Sequence, residues 1–169
     1  MGMFFDKKKS IRDLISLSLF NPCYQPFITA LSQEQGYPYD GILDGVRLNA
    51  YFKKGSHMFV ALYIGRVIGY VLFRQFYRVV YIQHLMVEAH HRRKGVGQRL
   101  LWEVYTNAYR DLPYVYFSAY VHEENRSALE FFKRVGFDTS ILIPDYYPPD
   151  VWGIERDAIE MRSKRKIYL

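Results

Sequence analysis

The chain has 169 residues, half of them apolar and 24% charged, which is the length of one domain with enough hydrophobic material for a single core and excludes disordered and collagen-like classes. No apolar run approaches the roughly 18 residues of a membrane span, the charged start MGMFFDKKKSIRD does not read as a signal peptide, and the lone Cys23 forms no internal disulfide, which points to a reducing, cytoplasmic setting. The formal charge of +6 predicts attraction to an anion, whether nucleic acid, a phosphorylated cofactor or an acidic peptide.

No repeat, low-complexity tract or linker divides residues 1–169, so one domain is expected. Ser10-Ile-Arg-Asp13 reads as a capping box with Asp in place of Glu, predicting a helix to about Leu19 that Asn21-Pro22 ends. Residues 27–54 read as helix in two pieces around Gly36-Tyr-Pro38. From Met58, two strand-like runs flank Gly65-Arg66 as a hairpin, and VVYIQHLMV (79–87) is a third strand. The basic segment HHRRKGVGQR follows, and then Val96, Leu100, Leu101, Val104, Tyr105 and Ala108 recur at helical spacing. YVYFSAYV (114–121) is a fourth strand. Ala128, Leu129, Phe132 and Val135 mark a helix face that Gly136 stops. A strand around 137–143, a proline-rich loop over 144–153 and a strand around 156–163 finish the chain. Hairpin strands followed by alternating strands and helices imply an α/β fold, a mixed sheet flanked by helices.

The strongest local signal is Arg92-Arg-Lys-Gly-Val-Gly97 between a strand and a helix. Consecutive backbone N–H groups at a helix start attract anions, and Gly95 and Gly97 let the backbone approach a phosphate without a Cβ in the way. Arg92, Arg93, Lys94 and Arg99 add positive charge. The Walker A spacing is absent, and a dinucleotide-binding G-x-G-x-x-G fails at Leu100.

R-R-x-G-x-G after a strand ending L-x-V resembles the acyl-CoA pyrophosphate loop of the GNAT acetyltransferase superfamily. Asn125-Arg-Ser-Ala-Leu-Glu-Phe-Phe-Lys-Arg-Val-Gly-Phe137 is similar to that superfamily's N-x-x-A-x-x-x-Y-x-x-x-G-F block, and the two blocks stand in the right order. Asp145-Tyr-Tyr147, a loop and then Asp157-Ala-Ile-Glu-Met161 are similar to the end of the protein N-terminal acetyltransferases. The resemblance implies a single-domain GNAT-like fold with a mostly antiparallel central sheet, a CoA-binding core at about 79–137, acetyl-CoA as cosubstrate and a protein or peptide N-terminus as acceptor. A lysine or small-amine acetyltransferase, or a CoA- or peptide-binding module without turnover, are the alternatives.

What the resemblance implies for individual residues follows the chemistry of acyl transfer to an amine. Leu85 and Val87, at the end of the splayed fourth strand, offer backbone groups to the thioester carbonyl and the pantetheine arm. Arg92, Arg93, Lys94, Gly95, Val96 and Gly97 form the pyrophosphate turn, with Asn125 and Phe132 along the cofactor. Tyr81 and Tyr120 occupy positions where relatives handle the amine proton. A phenol near ~pKa 10 is a poor direct base at neutral pH but can orient a water that carries the proton away. Tyr146 and Tyr147 lie in the loop that covers the substrate's first residues. Phe132 stands where the superfamily commonly has a tyrosine acid, and phenylalanine cannot donate a proton; the CoA thiol, near ~pKa 8.5 by analogy with cysteine, leaves as thiolate without one.

His57, His84, His90, His91 and His122 show no metal-ligand spacing, so no metal is expected. On a regular strand His84 points away from Tyr81, whereas His122 shares the face of Tyr120 and is the better accessory proton carrier. The basic clusters Lys7-Lys8-Lys9 and Arg162, Lys164, Arg165, Lys166 read as solvated ends, or as docking points for an acidic partner or the ribosome. No specific nucleic-acid motif is present.

Overall fold

The computed structural model describes residues 14–35, 42–111, 116–147 and 156–163. Seven strands form one sheet in the order β1-β2-β3-β4-β5-β7-β6. They are β1 (Ile15–Leu19), β2 (Ser56–Tyr63), β3 (Arg66–Phe76), β4 (Val79–Val87), β5 (Tyr116–His122), β6 (Thr139–Tyr147) and β7 (Arg156–Ser163). The helices are α1 (Gln25–Gln35), α2 (Gly45–Lys53), α3 (Val96–Asp111) and α4 (Arg126–Arg134). Every neighbouring pair is antiparallel except β4–β5. This is the mixed, mostly antiparallel sheet flanked by helices that the sequence implies.

The helix expected up to Leu19 is instead strand β1, paired from Ile15↔Tyr63 to Leu19↔Phe59. Ile-Ser-Leu-Ser-Leu alternates with period two, and pairing along β2 buries Ile15. The capping-box residues lie outside the described residues. The two helical pieces expected in 27–54 are α1 and α2, and Asp44 caps α2 by accepting the Arg47 N–H at 2.8 Å. β6 runs on to Tyr147, through the first residues of the loop expected over 144–153; the rest of that loop falls outside the described residues, as do residues 114 and 115 of the strand expected over 114–121.

Each face of the sheet carries its own core. On one face α3 and α4 bury Leu100, Leu101, Val104, Phe132 and Val135 against Val80, Ile82 and Phe117. On the other, α1 and α2 bury Ile28, Leu43 and Leu48 against Met58, Tyr70 and Leu72. Full burial of such side chains is worth about 1.5–3 kcal/mol each, so both helical layers are firmly held.

Two irregularities place the site. β4 and β5 pair only from Val79↔Tyr116 to Ile82↔Ala119 and then part. Just beyond, the β3–β4 register shifts: Phe73 faces Ile82 and Leu72 faces His84, which leaves Gln83 as the extra residue of a bulge. The extra residue turns the rest of β4 over, so His84 lies on the same face as Tyr81, contrary to the regular-strand expectation.

Gly69 sits where β3 approaches the far end of β4. A Cβ there would lie 2.7 Å from the Met86 carbonyl oxygen, a backbone atom. Gly69→Ala is therefore expected to destabilise the fold by about 1–3 kcal/mol through overpacking, read as a lower midpoint in urea unfolding. An unchanged midpoint would show that β3 and β4 can move apart freely at this point.

Candidate active site

The end of β4 is built to leave backbone groups in the gap. Glu88 N–H donates to Ile68 O at 2.9 Å, so by antiparallel alternation His84 and Met86 present their polar groups to β3. Leu85 and Val87 present theirs toward the side where β5 has departed. The Val87 carbonyl accepts from Arg92 Nε at 2.9 Å, which folds the basic turn back over the strand end.

The turn has the geometry of an anion site. Gly95 has φ +82°, a left-handed conformation that favours glycine, and α3 starts at the next residue. The first bond back onto this turn runs from Arg99 N–H to Gly95 O at 3.0 Å, so the N–H groups of residues 96–98 precede it. Together with the helix dipole they favour negative charge. Gly97 lies against α4: a Cβ there would be 3.2 Å from Phe131 Cζ and 3.8 Å from Val87 Cγ2.

A cleft of about 610 Å³ runs from the open edge of β4 over this turn to α4. Leu85, Val87, Arg92, Arg93, Gly95, Val96, Gly97, Asn125 and Phe132 all line it. Lys94, expected with them, is exposed and does not. Arg99, counted with the basic turn, sends its guanidinium the other way, donating to Ile15 O at 2.8 Å. Arg134, which motif reading did not single out, does line the cleft. Asn125 has a second task as the α4 cap, its side-chain oxygen accepting Ala128 N–H at 3.1 Å. Phe132 is only 5% exposed and packs edge-on against Phe137, with ring centroids 4.8 Å apart.

On the opposite face the parted strands border a polar, tyrosine-rich cluster. Tyr81 stands beside Ser118 across the β4–β5 pair, and Tyr120 stands opposite Glu160 across β5–β7. The Tyr120 ring stacks on Tyr146, with centroids 4.8 Å apart and planes 3° from parallel. A bulge brings Tyr146 there: Ile143 pairs with Ala158 and Tyr147 with Arg156, so β6 carries two more residues than β7 over this stretch. Asp145 takes φ +52° in the bulge, and its N–H is held by Asp157 Oδ1 at 3.0 Å. The tyrosine pair is thereby split. Tyr146 is 46% exposed over Tyr120, whereas Tyr147 is 8% exposed and packs on His122 at 5.1 Å.

Several residues of this cluster carry no local motif. Tyr51 of α2 meets His84 edge-on at 5.7 Å, its hydroxyl 3.4 Å from His84 Nε2. Burial and then the Arg47 charge push the His84 pKa down to about 4. Glu160 is 4% exposed and accepts from Ser118 Oγ at 2.8 Å. Arg162, grouped in the sequence with a solvated basic end, clamps the same carboxylate at 2.8 Å and 2.7 Å. Burial acts to raise the Glu160 pKa, but hydrogen bonds from Arg162 and Ser118 outweigh it and hold the group below its usual value. Burial, and then Glu160, raise the Tyr120 pKa; burial, and then Tyr120, raise that of Tyr146. Both phenols therefore stay protonated at neutral pH and act as hydrogen-bonding groups. His122 shares the face of Tyr120 but is 2% exposed, its Nδ1 accepts Glu124 N–H at 3.1 Å, and burial lowers its pKa. It is a packed structural residue.

The neutral state of His84 has a consequence for stability. Its pKa falls from 6.5 in the unfolded chain to about 4 in the fold. Between those values the unfolded chain binds the extra proton, so stability is fully present above about pH 6.5 and is lost as the pH falls toward about 4. The full span corresponds to about 3 kcal/mol at most. His84→Gln is expected to remove that part of the slope in denaturant unfolding at a series of pH values. An identical slope in the variant would contradict the buried, neutral imidazole.

The geometry matches known proteins. The profile of the Acetyltransferase (GNAT) family matches residues 17–137. Among solved structures, the chain is similar to the ribosomal-protein-S18-alanine N-acetyltransferase of Escherichia coli, with a TM-score of 0.75 at 15% identity over 92% of this chain and 96% of that one. It is similar to Ard1 of Thermoplasma volcanium, with a TM-score of 0.74 at 19% identity over 92% and 99% of the two chains. It is also similar to Arabidopsis thaliana Naa50 in complex with the bisubstrate analogue CoA-Ac-MVNAL, with a TM-score of 0.73 at 21% identity over 90% and 99%. At these identities the structural likenesses establish the fold, and the profile match over most of the chain establishes the family. The chain belongs to the GNAT acetyltransferase family, whose acyl donor is acetyl-CoA.

Proposed function

We propose that the protein acetylates the α-amine of a polypeptide N-terminus by direct attack of that amine on the thioester of acetyl-CoA, with both substrates bound together. The observation that carries this reading is the parting of β4 and β5 after Ile82↔Ala119. It leaves one opening in the sheet between the cleft beside α3 and α4 and the tyrosine cluster on the other face, so a donor in the first meets an acceptor in the second. Residues 96–98 with Arg92 and Arg93 would hold the phosphates of the donor. The backbone edge at Leu85 and Val87 would hold the pantetheine arm and polarise the carbonyl, and Asn125 and Phe132 form the far wall. Acetyl-CoA supplies an activated acetyl group and a thiolate leaving group.

On the acceptor side, the stacked Tyr120 and Tyr146 with Tyr51 form an aromatic wall suited to the first residues of an extended chain. The hydroxyls of Tyr81 and Tyr120 orient the amine and the water that carries its proton away. An α-amine, with a pKa of about 8, keeps a usable neutral fraction near neutral pH, whereas a lysine at about 10.4 needs a base that the protonated Tyr120 does not provide. Two of the similar structures agree with a peptide acceptor: one is named for modifying the alanine of a ribosomal protein and another holds a CoA–peptide analogue.

One observation favours a second reading, a binding module without turnover: Phe132 offers no proton to the leaving group. Thiol release separates the readings. Purified protein is incubated with acetyl-CoA and, separately, with short peptides beginning Met-Val, Ala-Arg and Ser-Gly, with free lysine and with spermidine. Transfer to at least one peptide is expected to exceed transfer to lysine and spermidine. Faster transfer to lysine or spermidine overturns the acceptor, and tight CoA binding with no transfer to any amine overturns the enzyme.

Tyr81→Phe and Tyr120→Phe are each expected to lower kcat by roughly 10²-fold, with little change in CoA affinity. Wild-type turnover in both would reduce the two tyrosines to packing residues. Gly97→Val puts branches into the crevice between Val87 and Phe131. It is expected to weaken CoA binding by roughly tenfold or more, about 1.4 kcal/mol, measured by calorimetry on protein whose thermal midpoint confirms folding. Unchanged affinity would move the donor out of this cleft.

A further inference from the structure

The Glu160–Arg162–Ser118 cluster belongs to neither hydrophobic core, and no motif predicts it. Glu160 is buried at 4% exposure in β7, directly across from Tyr120. Burying a carboxylate is costly unless its oxygens are satisfied, and here they are. Oε1 accepts from Ser118 Oγ at 2.8 Å and from Arg162 Nε at 2.8 Å, and Oε2 accepts from Arg162 Nη2 at 2.7 Å. Tyr120 is the register partner of Glu160 across β5–β7, which brings its hydroxyl to the side of this carboxylate, and the proximity acts on the proton affinity of both groups. A carboxylate so clamped cannot swing, and its lone pairs are committed. It is a poor proton acceptor and a good fixed anchor for a phenolic O–H.

We propose that Glu160 is a positioning residue for acetyl transfer: locked by Arg162 and Ser118, it takes the Tyr120 O–H as a hydrogen bond and so leaves the phenolic oxygen's lone pairs turned to the acceptor amine. A phenol has one proton to give. If Glu160 did not hold that proton, the hydroxyl would be free to rotate and present its O–H to the amine, which competes with the attacking lone pair on nitrogen. Stacking on Tyr146 fixes the plane of the Tyr120 ring but not the torsion of its hydroxyl. The anchor at Glu160 sets that torsion. Tyr81, whose side chain lies on the same face beside Ser118, then faces an oxygen of fixed polarity.

This inference rests on the role given above to Tyr120, so the test separates the two. Steady-state transfer to the fastest peptide of the panel is measured for wild type, Tyr120→Phe, Glu160→Gln and the double variant, with thermal midpoints and CoA affinity as controls. Glu160→Gln is expected to lower kcat by roughly tenfold, below the range of a direct acid–base group, with KM for acetyl-CoA within about twofold. In the Tyr120→Phe background the same substitution is expected to cost nothing more, because the hydroxyl it orients is gone. Equal losses in both backgrounds make Glu160 a structural clamp and overturn the proposal. A loss in Tyr120→Phe with none in Glu160→Gln overturns the proposal and leaves the Tyr120 role standing. Wild-type turnover in Tyr120→Phe overturns both.

Should Glu160→Gln fail to fold, Arg162→Met runs the same cycle. The Arg162 side chain is 45% exposed, so its removal frees the carboxylate without opening the core. A readout independent of turnover comes from proteins labelled with ¹³C at tyrosine Cζ. The Tyr120 resonance, identified by its loss in Tyr120→Phe, is expected to move upfield in Glu160→Gln, because a charged acceptor is replaced by a weaker neutral one. A resonance that stays in place overturns the proposal.

Discussion

The parting of β4 and β5 is the constraint on which the rest of the site depends. A parallel pair that stops after four residue pairs leaves backbone N–H and C=O groups inside the molecule with no strand to meet them. Those groups need water or a ligand, so the gap is an opening by necessity. Everything around it follows. The bulge at Gln83 turns the end of β4 so that Leu85 and Val87 present their backbone to the opening, and Glu88 N–H ties the other edge to β3. Arg92 reaches back to the Val87 carbonyl, which seats the basic turn and the start of α3 at the mouth of the opening. One break in the sheet thus sets an anion-attracting helix start and an unpaired strand edge along one cleft.

How legible a feature was in the sequence followed how local its cause is. The basic glycine turn and the Asn125–Phe137 block are each contiguous in sequence, and most of their residues line one cleft. Strand β1 runs where the four-residue cap pattern Ser10–Asp13 predicts a helix, because the five alternating residues Ile-Ser-Leu-Ser-Leu pair along β2 and decide the matter. His84 was assigned to the wrong face for a deeper reason. A bulge adds one residue and inverts every later side chain, and the bulge arises from the pairing of β4 with β3. Glu160, Arg162 and Ser118 meet through the β5–β7 register, between residues 42 apart for the Ser118–Glu160 bond, and no window of sequence contains that fact. Tyr51 reaches His84 in the same way, from a helix 33 residues away in the chain.

The two irregular strands, β4 and β6, solve the same problem. Each must place an aromatic or polar side chain where period-two alternation would not allow it. In β4 one extra residue brings His84 to the face of Tyr81. In β6 two extra residues, held by Asp157 on the Asp145 N–H, let Tyr146 turn onto Tyr120 while Tyr147 packs on His122. Asp157, in the Asp-Ala pair near the start of β7, thereby fixes the bulge. The left-handed Asp145 is the local strain that the carboxylate of Asp157 offsets.

The electrostatics of the acceptor side argue in one direction. Burial raises both Tyr120 and Tyr146, His84 is kept neutral, and the one buried carboxylate is neutralised by Arg162 and saturated with hydrogen bonds. Among the described residues the cluster contains protonated phenols, a neutral imidazole and a spent carboxylate, and no strong base. An environment of this kind does little for an ammonium that holds its proton to a pKa of about 10.4, and it suits an amine that has released it by about 8. On the proposed reading the leaving group needs no acid: a thiol near about 8.5 can depart as thiolate in the pH range where an α-amine near about 8 loses its proton. Phe132, buried against Phe137 in the wall of the donor cleft, is then consistent with turnover. On the proposed reading the α-amine near about 8 and the thiol near about 8.5 share one narrow interval of proton affinity, and phenols that keep their protons throughout it offer orientation more than proton transfer.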